Sequence, residues 1–200
     1  LYNEVADLKN MYKIMKSYYA QDGASFYAIG IPMLESVKLL KSGGMEREAE
    51  ELLRYYEIHG EMLIKNGLCY PPHEVKYEQS IVAPAVNYLF QLYELTGKIL
   101  YLEEGKKQLA VLVLFNGHQP DFHMYENAVR HWDGYWFGKY KNLGDTFPHY
   151  WSSLSGVAFR EYEKITGERS YGVKAENSLR GVLSMINGDG SASCAYVYPF

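Results

Sequence analysis

Apolar positions recur at helical spacing along most of the chain. Leu8, Met11, Tyr12, Met15 and Tyr18 or Tyr19 sit three or four residues apart, which predicts a helix over 3–20, broken at Asp22-Gly23. A second helix is expected over 26–40, carrying Met33, Leu34, Val37, Leu39 and Leu40 and stopping at Ser42-Gly43-Gly44. A third carries Ala49, Leu52, Leu53, Tyr56, Ile58, Met62 and Leu63 and closes at Asn66-Gly67.

The pattern then repeats. Ala85, Val86, Tyr88, Leu89, Leu92 and Tyr93 form an apolar face that ends at Leu95-Thr96-Gly97; residues 101–115 follow and close at Asn116-Gly117. Leu154, Val157, Ala158, Phe159 and Tyr162 lead into Ile165-Thr166-Gly167; residues 171–186 follow and close at Asn187-Gly188. Both units share a Thr-Gly between helices, a Tyr four residues after that Gly, and an Asn-Gly exit. Glycine takes the left-handed C′ conformation at little cost, and Asn-Gly tolerates positive φ, so both pairs mark helix stops.

The exits at Gly67, Gly117 and Gly188 are spaced by about 50 and about 70 residues. Tetratricopeptide and ankyrin repeats are shorter, near 33 or 34, and armadillo or HEAT units run about 40 to 47. Long loops after alternate helices suit a closed ring of hairpins better than an open solenoid. The reading is therefore all-α: one domain over 1–200, an α/α toroid of helical hairpins. Three hairpins and one leading helix make a partial ring, expected to be a fragment of a longer toroid. In such a ring the long exit loops gather at one end and make a cleft.

The chain is 48% hydrophobic and 22% charged with a formal net charge of -4, which fits one globular core and argues against a general nucleic-acid binder. No apolar run approaches the roughly 18 residues of a membrane span. The opening residues do not read as a signal peptide, so no targeting segment is expected, and cytoplasmic and secreted locations both stay open. Cys69 and Cys194 form no CxxC pair and read as two buried or half-buried thiols. Tyr dominates an aromatic content of 16%, which suits core packing and equally a groove for sugar rings.

Residues 118–151 hold four of the six His and all three Trp. A connection this long and this aromatic reads as functional. Trp132, Trp136 and Trp151 are of the type that stacks on the apolar faces of sugars, and Gly134 lets backbone approach a ligand. No metal or other cofactor is expected: His118 and His123, or His131 and Asp133, lack the spacing of HExxH or a facial triad. The oxygen-rich turn at Asn187-Gly188-Asp189 lacks an EF-hand ligand series and reads as a helix stop. Ser152, Ser153 and Ser155 form no G-x-S-x-G elbow, and no Gly-rich phosphate loop is present.

Two mechanisms suit a sugar cleft in a helical ring. A glycoside hydrolase needs two carboxyl groups, for which Glu126, Asp133 and Asp145 are the local candidates. A polysaccharide lyase needs a base, an acid for the leaving oxygen, and a group that neutralises a uronate carboxylate. His and Tyr outnumber carboxylates here, which favours the lyase. The roles fall to His131 or His149 as base, Tyr135 or Tyr150 as acid, and Arg130 or Lys139 beside the substrate carboxylate, with Asp133 orienting a His or holding hydroxyls. Asp145 and His123 belong to the same span; the other reading of Asp145-Thr146 is a helix N-cap before Pro148. In a ring, His73, Tyr77 and Glu78 join this cleft from the loop after Gly67, although Glu78 also reads as a helix cap. A helical module that binds glycan or protein without catalysis is the third reading.

YEQSIVAPAV at 77–86, HWDGYWFGK at 131–139 and GDTFPHYWS at 144–152 resemble the helical domain of bacterial six-hairpin enzymes, nearest the exo-acting rhamnogalacturonan lyase group. The resemblance covers residues 26–200, and the last two motifs are its specific part. It implies an α/α toroid flanked by β-rich domains and β-elimination on an acidic pectic polysaccharide. This chain departs from that pattern in showing no β-rich segment.

Overall fold

The computed structural model describes residues 4–19, 32–67, 79–114, 116–117, 127–128, 145–150, 152–193 and 195–198. Among them are seven helices: α1 (Glu4–Tyr19), α2 (Pro32–Ser42), α3 (Glu46–Asn66), α4 (Gln79–Thr96), α5 (Ile99–Val113), α6 (Ser152–Thr166) and α7 (Arg169–Leu183). Four short strands accompany them: β1 (Asn116–Gly117), β2 (Asn127–Ala128), β3 (Asp145–His149) and β4 (Ala195–Tyr198). The fold is all-α, with α2–α3, α4–α5 and α6–α7 packed as hairpins and α1 laid against α2 and α3.

The Thr-Gly turns explain the hairpins. Thr96 Oγ1 donates to the Leu92 carbonyl at 2.6 Å and accepts from Lys98 N–H at 3.3 Å; Thr166 Oγ1 does the same with Tyr162 at 2.8 Å and Glu168 at 3.2 Å. Gly97 and Gly167 supply the positive φ, 67° and 77°, that reverses the chain. The tyrosine four residues on then returns to the core: Tyr101 is buried against the α3–α4 cluster, and Tyr171 packs edge-on to Tyr162 with centroids 4.6 Å apart.

Helix α4 sits at the centre because it carries three faces. Ala85, Tyr88, Leu89 and Leu92 join a core with α1, α2 and α3. Val82, Ala83, Val86 and Phe90 join a second core with α5, α6 and α7. Its third stripe, Asn87, Gln91 and Glu94, is polar at helical spacing. Contacts run α2 to α4 to α6 along one row, and α1 to α3 to α5 along another behind it. Gly60 and Gly105 permit close crossings: a Cβ at Gly105 would stand 2.6 Å from the Phe90 ring, and one at Gly60 would meet Leu92.

Several expectations need correcting. Asn116-Gly117 is not a turn but a strand fragment paired with β2, in the register Asn116↔Ala128 and Gly117↔Asn127. Helix α7 stops at Leu183, ahead of Asn187-Gly188, and the left-handed glycine is Gly190 at φ 84° rather than Gly188. That turn is closed by Asp189 Oδ1, which accepts from both the amide and the hydroxyl of Ser191, and by an Ile186–Ala192 bridge. Asp145-Thr146 is strand, not a helix N-cap. Leu39 and Ile58, assigned to apolar faces, point outward. Residues 26–31 of the second predicted helix, Cys69 and Cys194 lie outside the described residues.

Candidate functional site

The long connection after α5 is tied down by two strand pairings. β1 and β2 pair at its start, and β3 pairs antiparallel with β4 at its end, through Asp145↔Tyr198, Thr146↔Val197 and His149↔Ala195. The register slips between Thr146 and His149, where Pro148 has no N–H to give the ladder. β2 touches α6 and α7, and β3 touches α7; β3 leads directly into the start of α6, and β4 follows α7.

Asp145 and His149 thus occupy the strand that feeds α6, and Tyr150 follows in the turn. The Tyr150 carbonyl accepts from the Ser153 amide at 3.1 Å and the Ser153 hydroxyl at 2.7 Å, which fixes the first turn of α6. Tyr150 is 46% exposed. The remaining sequence candidates, His131, Tyr135, Arg130, Asp133, Trp132, Trp136, Trp151, Lys139, His73, Tyr77, Glu78 and His123, lie outside the described residues.

Beneath this end runs the polar stripe of α4, which the sequence reading passed over. Asn87 is 4% exposed; its Nδ2 donates to the Leu154 carbonyl in the first turn of α6, while its Oδ1 has no partner among the described residues. A buried acceptor left unpaired costs about 1–3 kcal/mol, so such a group asks for a donor. The available signal was an amide at 87, another at 91 and a carboxylate at 94, on one face of a helix otherwise apolar. Further along, Gln91 and Glu94 share a cavity with Glu35 and Lys38 of α2 and Val157, Glu161 and Lys164 of α6. Among the described residues no group of three or more His, Cys, Asp or Glu side chains is placed to hold a metal ion, and no helix is long and apolar enough to cross a membrane.

No protein-family model matches this chain, and no curated protein does. Among solved structures it is similar to the polysaccharide lyase BACCELL_00875, with a TM-score of 0.81 and 50% sequence identity over 96% of this chain. The match spans 29% of that lyase's length. The chain therefore has a polysaccharide lyase as a relative, and its helical fold is shared with it.

Proposed function

We propose that this chain forms part of an α/α toroid in a polysaccharide lyase that cleaves uronate-containing, pectic or rhamnogalacturonan-like glycans by β-elimination. The observation that carries the reading is the 50% identity to a polysaccharide lyase across 96% of the chain. The tethering of Asp145, His149 and Tyr150 at the start of α6, over a buried amide stripe, supports a cleft at this end.

In this reaction a base removes the proton on the carbon next to the uronate carboxylate. The electron pair forms a carbon–carbon double bond, and the glycosidic oxygen leaves with a proton from the acid. His131 or His149 would serve as base and Tyr135 or Tyr150 as acid. Arg130 or Lys139 would stabilise the carboxylate as charge builds on it. Trp132, Trp136 and Trp151, with His73, Tyr77, Glu78, His123, Asp133 and Asp145, would line the sugar path.

The test uses the chain alone, and the chain transplanted into the solved lyase in place of the segment it matches. Both are incubated with pectic and rhamnogalacturonan oligosaccharides while the ultraviolet absorbance of an unsaturated uronate is followed. A rise in absorbance, lost in His131→Ala or in His149→Ala at unchanged helicity, is the expected result, and full activity in both variants would overturn the assignment of the base. New reducing ends without absorbance would make the protein a hydrolase, and binding without either signal in the transplant would make it a non-catalytic module.

A further inference from the structure

We propose that Asn187 is a site of spontaneous deamidation, the modification that converts an asparagine before glycine into aspartate or isoaspartate. The chain carries Asn-Gly pairs at 66–67, 116–117 and 187–188, and the fold puts each in a different backbone setting. In this reaction the glycine nitrogen attacks the asparagine side-chain carbon. It therefore needs a free glycine amide and a backbone able to swing the two groups together. Glycine favours it in all three pairs, because no Cβ stands in the way.

Two of the pairs are held. Asn66 is the last residue of α3, and the Gly67 N–H donates to the Leu63 carbonyl. Asn116-Gly117 is extended and paired with Ala128 and Asn127 of β2. The third pair differs on each count. Asn187 and Gly188 are both exposed, and beyond its chain neighbours no atom lies within 4 Å of the place a Cβ would take at Gly188. The Gly188 N–H has no partner among the described residues. The turn itself is the reason: the Asn187 carbonyl accepts from Gly190 N–H at 2.9 Å, which puts Gly188 at the second position, outside that bond.

One restraint opposes the reaction: Asn187 Nδ2 donates to Ser191 Oγ at 2.9 Å. At an exposed position such a bond contributes little net, so it slows rotation of the carboxamide without blocking it. The Gly188 nitrogen then bonds to Asn187 Cγ, the Cγ–Nδ2 bond breaks, and ammonia leaves with the amide proton. Water opens the five-membered ring at one of its two carbonyls, giving aspartate or isoaspartate. Either product fits the turn poorly. Asp189 Oδ1 already accepts from the Ser191 amide at 2.9 Å and the Ser191 hydroxyl at 2.7 Å. A second carboxylate at 187 meets the same hydroxyl, which donates only once, and stands beside a like charge. Isoaspartate also adds a backbone atom between Ile186 and Ala192, whose bridge closes the loop that leads to β4.

The test ages the whole chain in mildly alkaline buffer and follows aspartate and isoaspartate at 66, 116 and 187 by peptide mass spectrometry, beside a sample denatured in guanidinium. In the folded chain position 187 should convert about tenfold faster than 66 or 116, and in denaturant the three rates should converge. Ser191→Ala, which frees the carboxamide, should speed conversion at 187 by about two- to fivefold. Asn187→Asp, which installs one product directly, should quicken amide exchange at Ile186 and Ala192. Conversion at 66 or 116 as fast as at 187 in the folded chain, or an unconverted 187 when the denatured sample has reacted, would overturn the proposal.

Discussion

Asn87 and Leu154, 67 residues apart in the chain, are joined by a hydrogen bond from the Asn87 amide to the Leu154 carbonyl at 3.4 Å. The other half of the amide, Oδ1, is buried with no partner among the described residues. A residue kept for stability alone would be better as leucine, because a buried orphan acceptor costs about 1–3 kcal/mol. Asn87→Leu should therefore melt at or above the parent temperature while binding acidic oligosaccharide about tenfold more weakly. A clear loss of stability with unchanged affinity would make the amide a packing element only.

His59 gives a pH dependence that belongs to folding. It is 5% exposed, its ring stands edge-on to Tyr19 and Tyr88 with centroids 5.7 and 4.9 Å away, and its Nε2 has no partner among the described residues. Burial holds the imidazole down at about 4, against 6.5 when exposed. The unfolded chain therefore binds the extra proton first. Stability is full above pH 6.5 and falls as the pH drops toward 4, by about 2–3 kcal/mol over the window. Urea titrations of the parent and of His59→Phe at pH 7 and pH 4.5 should show that slope flattened in the variant.

Gly105 lets α5 close on α4 over the Phe90 ring. A methyl group there would lie 2.6 and 2.9 Å from two ring carbons, inside contact distance. Alanine improves helix propensity by roughly 0.8–1 kcal/mol, but overpacking costs about 1–3 kcal/mol. Gly105→Ala should be a net loss, read as a lower urea midpoint, and Gly105→Ala with Phe90→Leu should recover part of it.

The Thr-Gly turns predict matched effects in two hairpins. Thr166→Val and Thr96→Val each remove one acceptor for the following amide and one donor to the preceding turn. Each should cost about 1 kcal/mol in chemical denaturation. The two turns share no hydrogen-bond partner, so the double variant should lose the sum.

Helix existence was legible because burial of one face imposes a local period. The Thr-Gly turns and the stop at Gly67 were legible because positive φ favours glycine at a particular residue; Gly67 stands at φ 55° and donates its N–H to the Leu63 carbonyl. The same rule misled at Asn116-Gly117. There the pair is extended, because ladder bonds to Asn127 and Ala128 outweigh its turn preference. It also misplaced the left-handed residue at the end of α7, where the Asp189 side chain draws the turn onto Gly190.

What the sequence determined by itself was the set of hairpins, since helical period, turn residues and chain reversal are all properties of neighbouring residues. The tertiary structure decided which faces meet. It gave α4 two cores and a polar stripe buried at Asn87 and Gln91, set β3 against β4 across the α6–α7 hairpin, and turned Leu39 and Ile58 outward. Those outcomes depend on contacts between residues far apart in the chain, and no local period records them.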